Sequence, residues 1–124
     1  MTIVIDSHLD LSLNALNWNR DLTRSIEEIR RSESHMADFR RGHNTVALPE
    51  MRSGQVAVCL ATVLTHANPL AMGCIDFRNQ EIAFAMAQGQ LAYYRILEEQ
   101  GHFRQLRSWS VVEAHLRQWN SSGG

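Results

Sequence analysis

A chain of 124 residues with 44% hydrophobic and 20% charged residues is the size of one ordinary domain and apolar enough to build a packed core, which argues against wholesale disorder. The net charge of −1 comes from twelve arginines, no lysine and thirteen acids interspersed along the chain, so no basic stripe points to nucleic acid. No stretch reaches the roughly eighteen apolar residues of a membrane span, and the N-terminus lacks the basic start and long apolar core of a signal peptide, so the cytoplasm is the expected compartment.

The first element is IVIDSHLDLSLNAL, residues 3–16. Read as a strand, it places Val4, Asp6, His8 and Asp10 on one side and Ile3, Ile5, Ser7 and Leu9 on the other, because successive side chains alternate. Two carboxylates and an imidazole gathered in that way repel or stay solvated unless a cation or hydrogen-bond donors sit among them. Oxygen and imidazole donors suit zinc or a similar divalent metal. The same spacing also fits a strand end emerging into solvent, with Asp6 or Ser7 capping a turn and His8 simply exposed.

The next stretch is less regular. Ser25 and Glu28 are spaced as a capping box for a short helix carrying Ile26 and Ile29, and Pro49 and Gly54 bracket a helical turn in LPEMRSG. Between them, residues 32–44 (SESHMADFRRGHN) show little apolar periodicity and read as a long surface excursion. The second strong element, GQVAVCLATVLTH at 54–66, is rich in β-branched residues and apolar on both alternating faces, the pattern of a strand covered on both sides in a parallel sheet.

Helical periodicity runs over 78–100 through Ile82, Ala85, Met86, Ala92, Tyr93 and Ile96, with Gly101 placed to stop it. A brief strand is expected at 103–106. From Ser108 an amphipathic segment carries Val111, Val112, His115, Leu116 and Trp119 before NSSGG closes the chain as a loop. Cys59 and Cys74 show no C-x-x-C spacing and read as reduced thiols. Tyr93, Tyr94, Trp109 and Trp119 read as packing residues, Glu50 as a first-turn acid favoured by the helix dipole, and His66 as a loop histidine on the side where strand two ends. His35, His43, His102 and His115 have no ligand spacing. The order strand, helical connection, strand, long helix, short helix is the rhythm of a β/α protein. In barrels of that type active sites collect where strands end, and the His-x-Asp patch sits at the C-terminal end of the first.

IDSHLDL resembles the first-strand metal motif of the membrane dipeptidase (renal dipeptidase) family of zinc peptidases, and TVALPEMRSGQVAVCLATVL resembles its second strand with the leucine-proline turn before it. The likeness continues through GQLAYYRILEEQG to HLRQWN and is nearest the bacterial branch. It implies an α/β fold, the first part, about two βα units, of a metal-dependent-hydrolase-type TIM (β/α)8 barrel that cleaves dipeptides with a two-zinc centre. His8 and Asp10 would then ligate the first zinc. Asp6, on the same face, would orient His8 or a bound water, unless it caps a turn.

The family's bridging glutamate, its two later histidines and its substrate-binding acid and arginine have no counterpart in residues 1–124. A barrel of this class needs about 250 residues. The resemblance therefore implies an incomplete N-terminal part of a single dipeptidase barrel domain, weak or absent zinc binding, no useful turnover alone, and an open sheet edge prone to self-association. Leu11, Ser12 and Leu13 stand where the family often carries an aromatic, which puts the dipeptide preference in doubt. A self-standing, non-catalytic α/β module that binds a partner through the sheet edge is the alternative from another class. A related amidohydrolase acting on another amide usually carries His-x-His instead.

Overall fold

The computed structural model describes residues 3–71 and 73–122. In chain order the elements are β1 (Val4–Leu9), α1 (Leu11–Leu16), α2 (Ile26–Glu33), α3 (Leu48–Ser53), β2 (Val56–Ala61), β3 (His66–Ala67), β4 (Asp76–Phe77), α4 (Gln80–Glu99) and α5 (Trp109–Ser122). The chain is mixed α/β. β1 pairs with β2 in parallel, and β3 with β4 in parallel, as two separate two-stranded sheets, and among the described residues no barrel closes.

Local chemistry accounts for the helices. The Ser25 hydroxyl accepts from the Glu28 amide while the Glu28 carboxylate accepts from the Ser25 amide, so the expected capping box starts α2. Glu27 and Glu28 sit in the first turn of α2, and Arg30 and Arg31 in its last, each sign at the end its dipole favours. Pro49 opens α3 and Gly54 closes it. Asn79 caps α4 by accepting from the Ile82 amide, and at the other end Gly101 adopts a φ of +77°, a backbone that glycine enters at no steric cost.

The core lies among the helices. Leu11 and Ala15 of α1, Leu22, Ile29 of α2, Ala47, Leu48 of α3, and Tyr94 and Leu97 of α4 are buried together, with Leu9 and Cys59 of the strands packed against them. Burial accordingly pushes the Cys59 thiol above its ordinary pKa. Both cysteines are free thiols.

The structure corrects several sequence expectations. The strand read over 54–66 is confined to Val56–Ala61, and it is not covered on both faces: Leu60 is 62% exposed, as is Ile5 of β1 at 61%. Residues 103–106 form no strand. α5 continues through Asn120 and Ser121 where a loop was expected, and Gly123 and Gly124 lie outside the described residues. Trp109 is 71% exposed and bonds Glu113 through its indole N–H at 3.0 Å, so it does not pack into a core. Residues 32–44 are less superficial than their polarity suggests, because α2 takes in Ser32 and Glu33 and both Glu33 and Asn44 are buried.

Glu33 explains that last departure. Arg20 grips its carboxylate through two contacts of 2.7 and 3.0 Å, while Arg41 (3.0 Å) and the Gly42 amide (2.7 Å) complete the set. The Trp18 ring is met by guanidinium groups, with Arg40 and Arg41 each 4.9 Å from its centroid. The Arg20 hydrogen bonds, reinforced by Gly42 and Arg41, hold the Glu33 carboxyl down at a pKa of about 2 against burial that works the other way.

Candidate metal site at the end of the first strand

His8, Asp10 and Asp6 come together where β1 gives way to α1, lining one shallow depression of about 410 Å³ with Asn14, Val46 and Glu50. Strict alternation along β1 is not what assembles them. The register runs Val4 to Val56, Ile5 to Val58, Asp6 to Cys59 and Leu9 to Ala61, so the pairing slips twice and β1 carries one extra residue between Asp6 and Leu9. Such an irregularity re-aims side chains at a strand end. Asp10 has left the strand altogether: it is the N-cap position of α1, with φ −85° and ψ 56°.

The outcome is a close pair. His8 Nε2 lies 3.3 Å from Asp10 Oδ1, with the imidazole 68% and the carboxylate side chain 31% exposed. Two donors that each sit about 2.0–2.2 Å from a tetrahedral zinc are about 3.3–3.6 Å apart, so the pair lies at the short end of the spacing that zinc asks of adjacent ligands. The donor chemistry fits as well, one imidazole nitrogen and one carboxylate oxygen. Among the described residues, however, no group of three or more His, Cys, Asp or Glu side chains is placed to hold a metal ion, so the His8 and Asp10 donors stand together without a third.

Asp6 acts on the backbone. Its Oδ1 accepts the His8 amide at 2.9 Å, an Asx-type bond that fixes the main chain from which the imidazole projects. Asp10 accepts three hydrogen bonds from two further residues, Asn14 and Thr62. The Asn14 side-chain amide donates to its carbonyl at 2.9 Å, the Asn14 backbone amide donates to the same carbonyl at 3.1 Å, and the Thr62 hydroxyl donates to its Oδ1. Thr62 is the residue that sequence reasoning missed. It follows β2 directly, and in sequence it is one more β-branched residue in an apolar run.

The other candidates have partners of their own. Glu50 sits in the first turn of α3, as its position predicts, and its Oε1 also accepts the Ile26 amide at 3.0 Å, tying α3 to the start of α2. His66 is not the loop histidine expected: it opens β3 and pairs through Nδ1 with Asp76 Oδ1 of β4 at 2.8 Å. His115 reaches from α5 to the Ala57 carbonyl at 2.8 Å. No helix among the described residues is long and apolar enough to cross a membrane. No protein-family model, curated protein or solved structure matches the chain.

Proposed function

We propose that this chain supplies the first two ligands, His8 and Asp10, of a zinc centre in a barrel-type hydrolase that cleaves dipeptides. The observation that carries the reading is the 3.3 Å approach of an imidazole nitrogen to a carboxylate oxygen at the C-terminal end of a strand with a parallel neighbour. The substrate class rests on the resemblance of IDSHLDL and TVALPEMRSGQVAVCLATVL to the membrane dipeptidases.

Zinc held there supplies Lewis acidity and a bound water whose pKa falls toward about 7. The chain's own part is to present the ligands. Asp6 holds the His8 main chain, Thr62 holds the Asp10 carboxylate, and Asn14 fixes the backbone from which Asp10 projects. A catalytic zinc keeps about three protein ligands, so a working centre needs at least one donor beyond those two. The isolated chain is expected to bind zinc weakly and to leave dipeptides intact.

Calorimetric titration with Zn²⁺ tests the metal reading. Weak binding that disappears in both His8→Ala and Asp10→Ala supports it; binding indifferent to both variants overturns it. Incubation of the chain with zinc and a simple dipeptide tests the ligand shortage, which robust hydrolysis would refute. Reading the gene beyond the codon for Gly124 tests the enzyme reading. A continuing frame that encodes a glutamate followed by two spaced histidines supports it, and an immediate stop overturns it in favour of a non-catalytic module that engages a partner through the exposed sheet.

A further inference from the structure

Where β2 ends, side chains from two helices converge on the backbone of Thr62 and Leu64. Gln90 of α4, fully buried, accepts the Leu64 amide at 2.8 Å through Oε1 and donates to the Leu64 carbonyl at 2.9 Å through Nε2. The buried Tyr94 hydroxyl, four residues further along α4, donates to the Thr62 carbonyl at 2.7 Å and accepts the Ser12 amide at 3.1 Å. Ser12 Oγ lies 3.1 Å from both the Thr62 carbonyl and Gln90 Oε1. Residues i and i+4 of a helix share a face, so α4 presents both its polar groups to the same stretch.

A connection that only had to turn would leave these carbonyls to water. Here they are pinned by groups removed from solvent, each of which would incur a large desolvation penalty if unpaired. The pinned residue faces the metal pair. The Thr62 amide donates to the Leu9 carbonyl at 2.9 Å, and its hydroxyl reaches both that carbonyl, at 3.2 Å, and Asp10 Oδ1. One hydroxyl proton cannot serve both acceptors fully, and it goes to the closer and charged one.

We infer that Thr62 is a positioning residue for Asp10, and that Gln90 and Tyr94 hold Thr62 at the angle its hydroxyl needs. The functional meaning of this inference rests on the zinc reading of Asp10, whereas its geometry does not. A carboxylate on the rim of an open depression is otherwise free to rotate, and a ligand that rotates must be ordered when metal arrives. Loss of such an outer hydrogen bond typically weakens metal affinity about 10–100-fold.

The test uses the full chain and the variants Thr62→Val, Thr62→Ser and Tyr94→Phe, each first checked for wild-type circular dichroism. Three-bond NMR couplings report the Asp10 χ1 distribution without metal, and Co²⁺ titration read by visible absorption reports affinity and coordination with it. The expected result is a single Asp10 rotamer in the wild type, rotamer averaging and Co²⁺ affinity weakened about 10–100-fold in Thr62→Val, and recovery of both in Thr62→Ser. Tyr94→Phe should shift both readouts in the same direction by less. Wild-type couplings in Thr62→Val, or an already averaged Asp10 in the wild type, would overturn the inference. Co²⁺ binding by the wild type that neither His8→Ala nor Asp10→Ala weakens, while the couplings change as expected, would support the positioning role and overturn the zinc reading alone.

Discussion

The connection between β1 and β2 and the strands it joins are packed in opposite ways. In the connection, Leu22 is wholly buried, Ile29 and Leu48 nearly so, and even the carboxylate of Glu33 is withdrawn from solvent onto two arginines. In the strands, Ile5 and Leu60 keep most of their surface exposed. The leucine and isoleucine side chains are of one kind; the surroundings differ. A short helix covers its apolar stripe with another helix a few residues away, whereas a strand face is covered only when a whole layer lies against it. Here α1, α3 and α4 close over one part of the sheet, and nothing among the described residues covers Ile5 or Leu60.

Glu33 is where this contrast should break most sharply. Glu33→Ala strands two arginines, one of them with a side chain only 8% exposed, and is expected to cost about 3–5 kcal/mol in urea denaturation. The pH dependence has a definite sign. The folded carboxyl titrates at about 2 and the reference group at 4.5, so the contribution is complete above pH 4.5 and fades as the pH falls through 4.5 toward 2. The loss over that window is about 3 kcal/mol, and Glu33→Gln should flatten it.

Truncating one leucine in each region sharpens the comparison. Leu22→Ala should cost about 2–5 kcal/mol, because it opens a cavity in a closed cluster, whereas Leu60→Ala should stay within about 0.5 kcal/mol. Equal costs in the same denaturation series would mean that Leu60 is covered in solution. Sedimentation velocity addresses that point directly: the wild type should self-associate with rising concentration, and Ile5→Thr with Leu60→Gln should shift it toward monomer without loss of stability.

A smaller effect belongs to the helix start. Ser25→Ala removes the hydroxyl that accepts from the Glu28 amide and should cost about 1 kcal/mol by thermal unfolding. A cost near zero would show that tertiary contacts, and not the cap, hold the first turn of α2.

The parts of the molecule that were legible in advance are those written in neighbouring residues. Ser25 with Glu28, Pro49 with Gly54, and the break at Gly101 each act within one turn of chain, and each is where the sequence places it. The His8 and Asp10 pair was legible as a patch, since a His-x-Asp at a strand end keeps its members close under most local geometries. The mechanism of closeness was not legible: the bulge in β1 and the departure of Asp10 into α1 depend on β2, more than forty residues away. Thr62 was invisible for the same reason, as a hydroxyl becomes a carboxylate's partner only when a distant strand end is brought beside it.

The sequence by itself determined where this chain caps, turns and stops its helices, and which imidazole and carboxylate lie side by side where β1 ends, because these depend on residues within a turn of one another. Only the tertiary structure decided which apolar residues are covered, that Glu33 is buried among arginines, and that Thr62, Gln90 and Tyr94 stand behind Asp10. Those outcomes depend on which surfaces meet, and a surface has no partner until the chain has folded back upon itself.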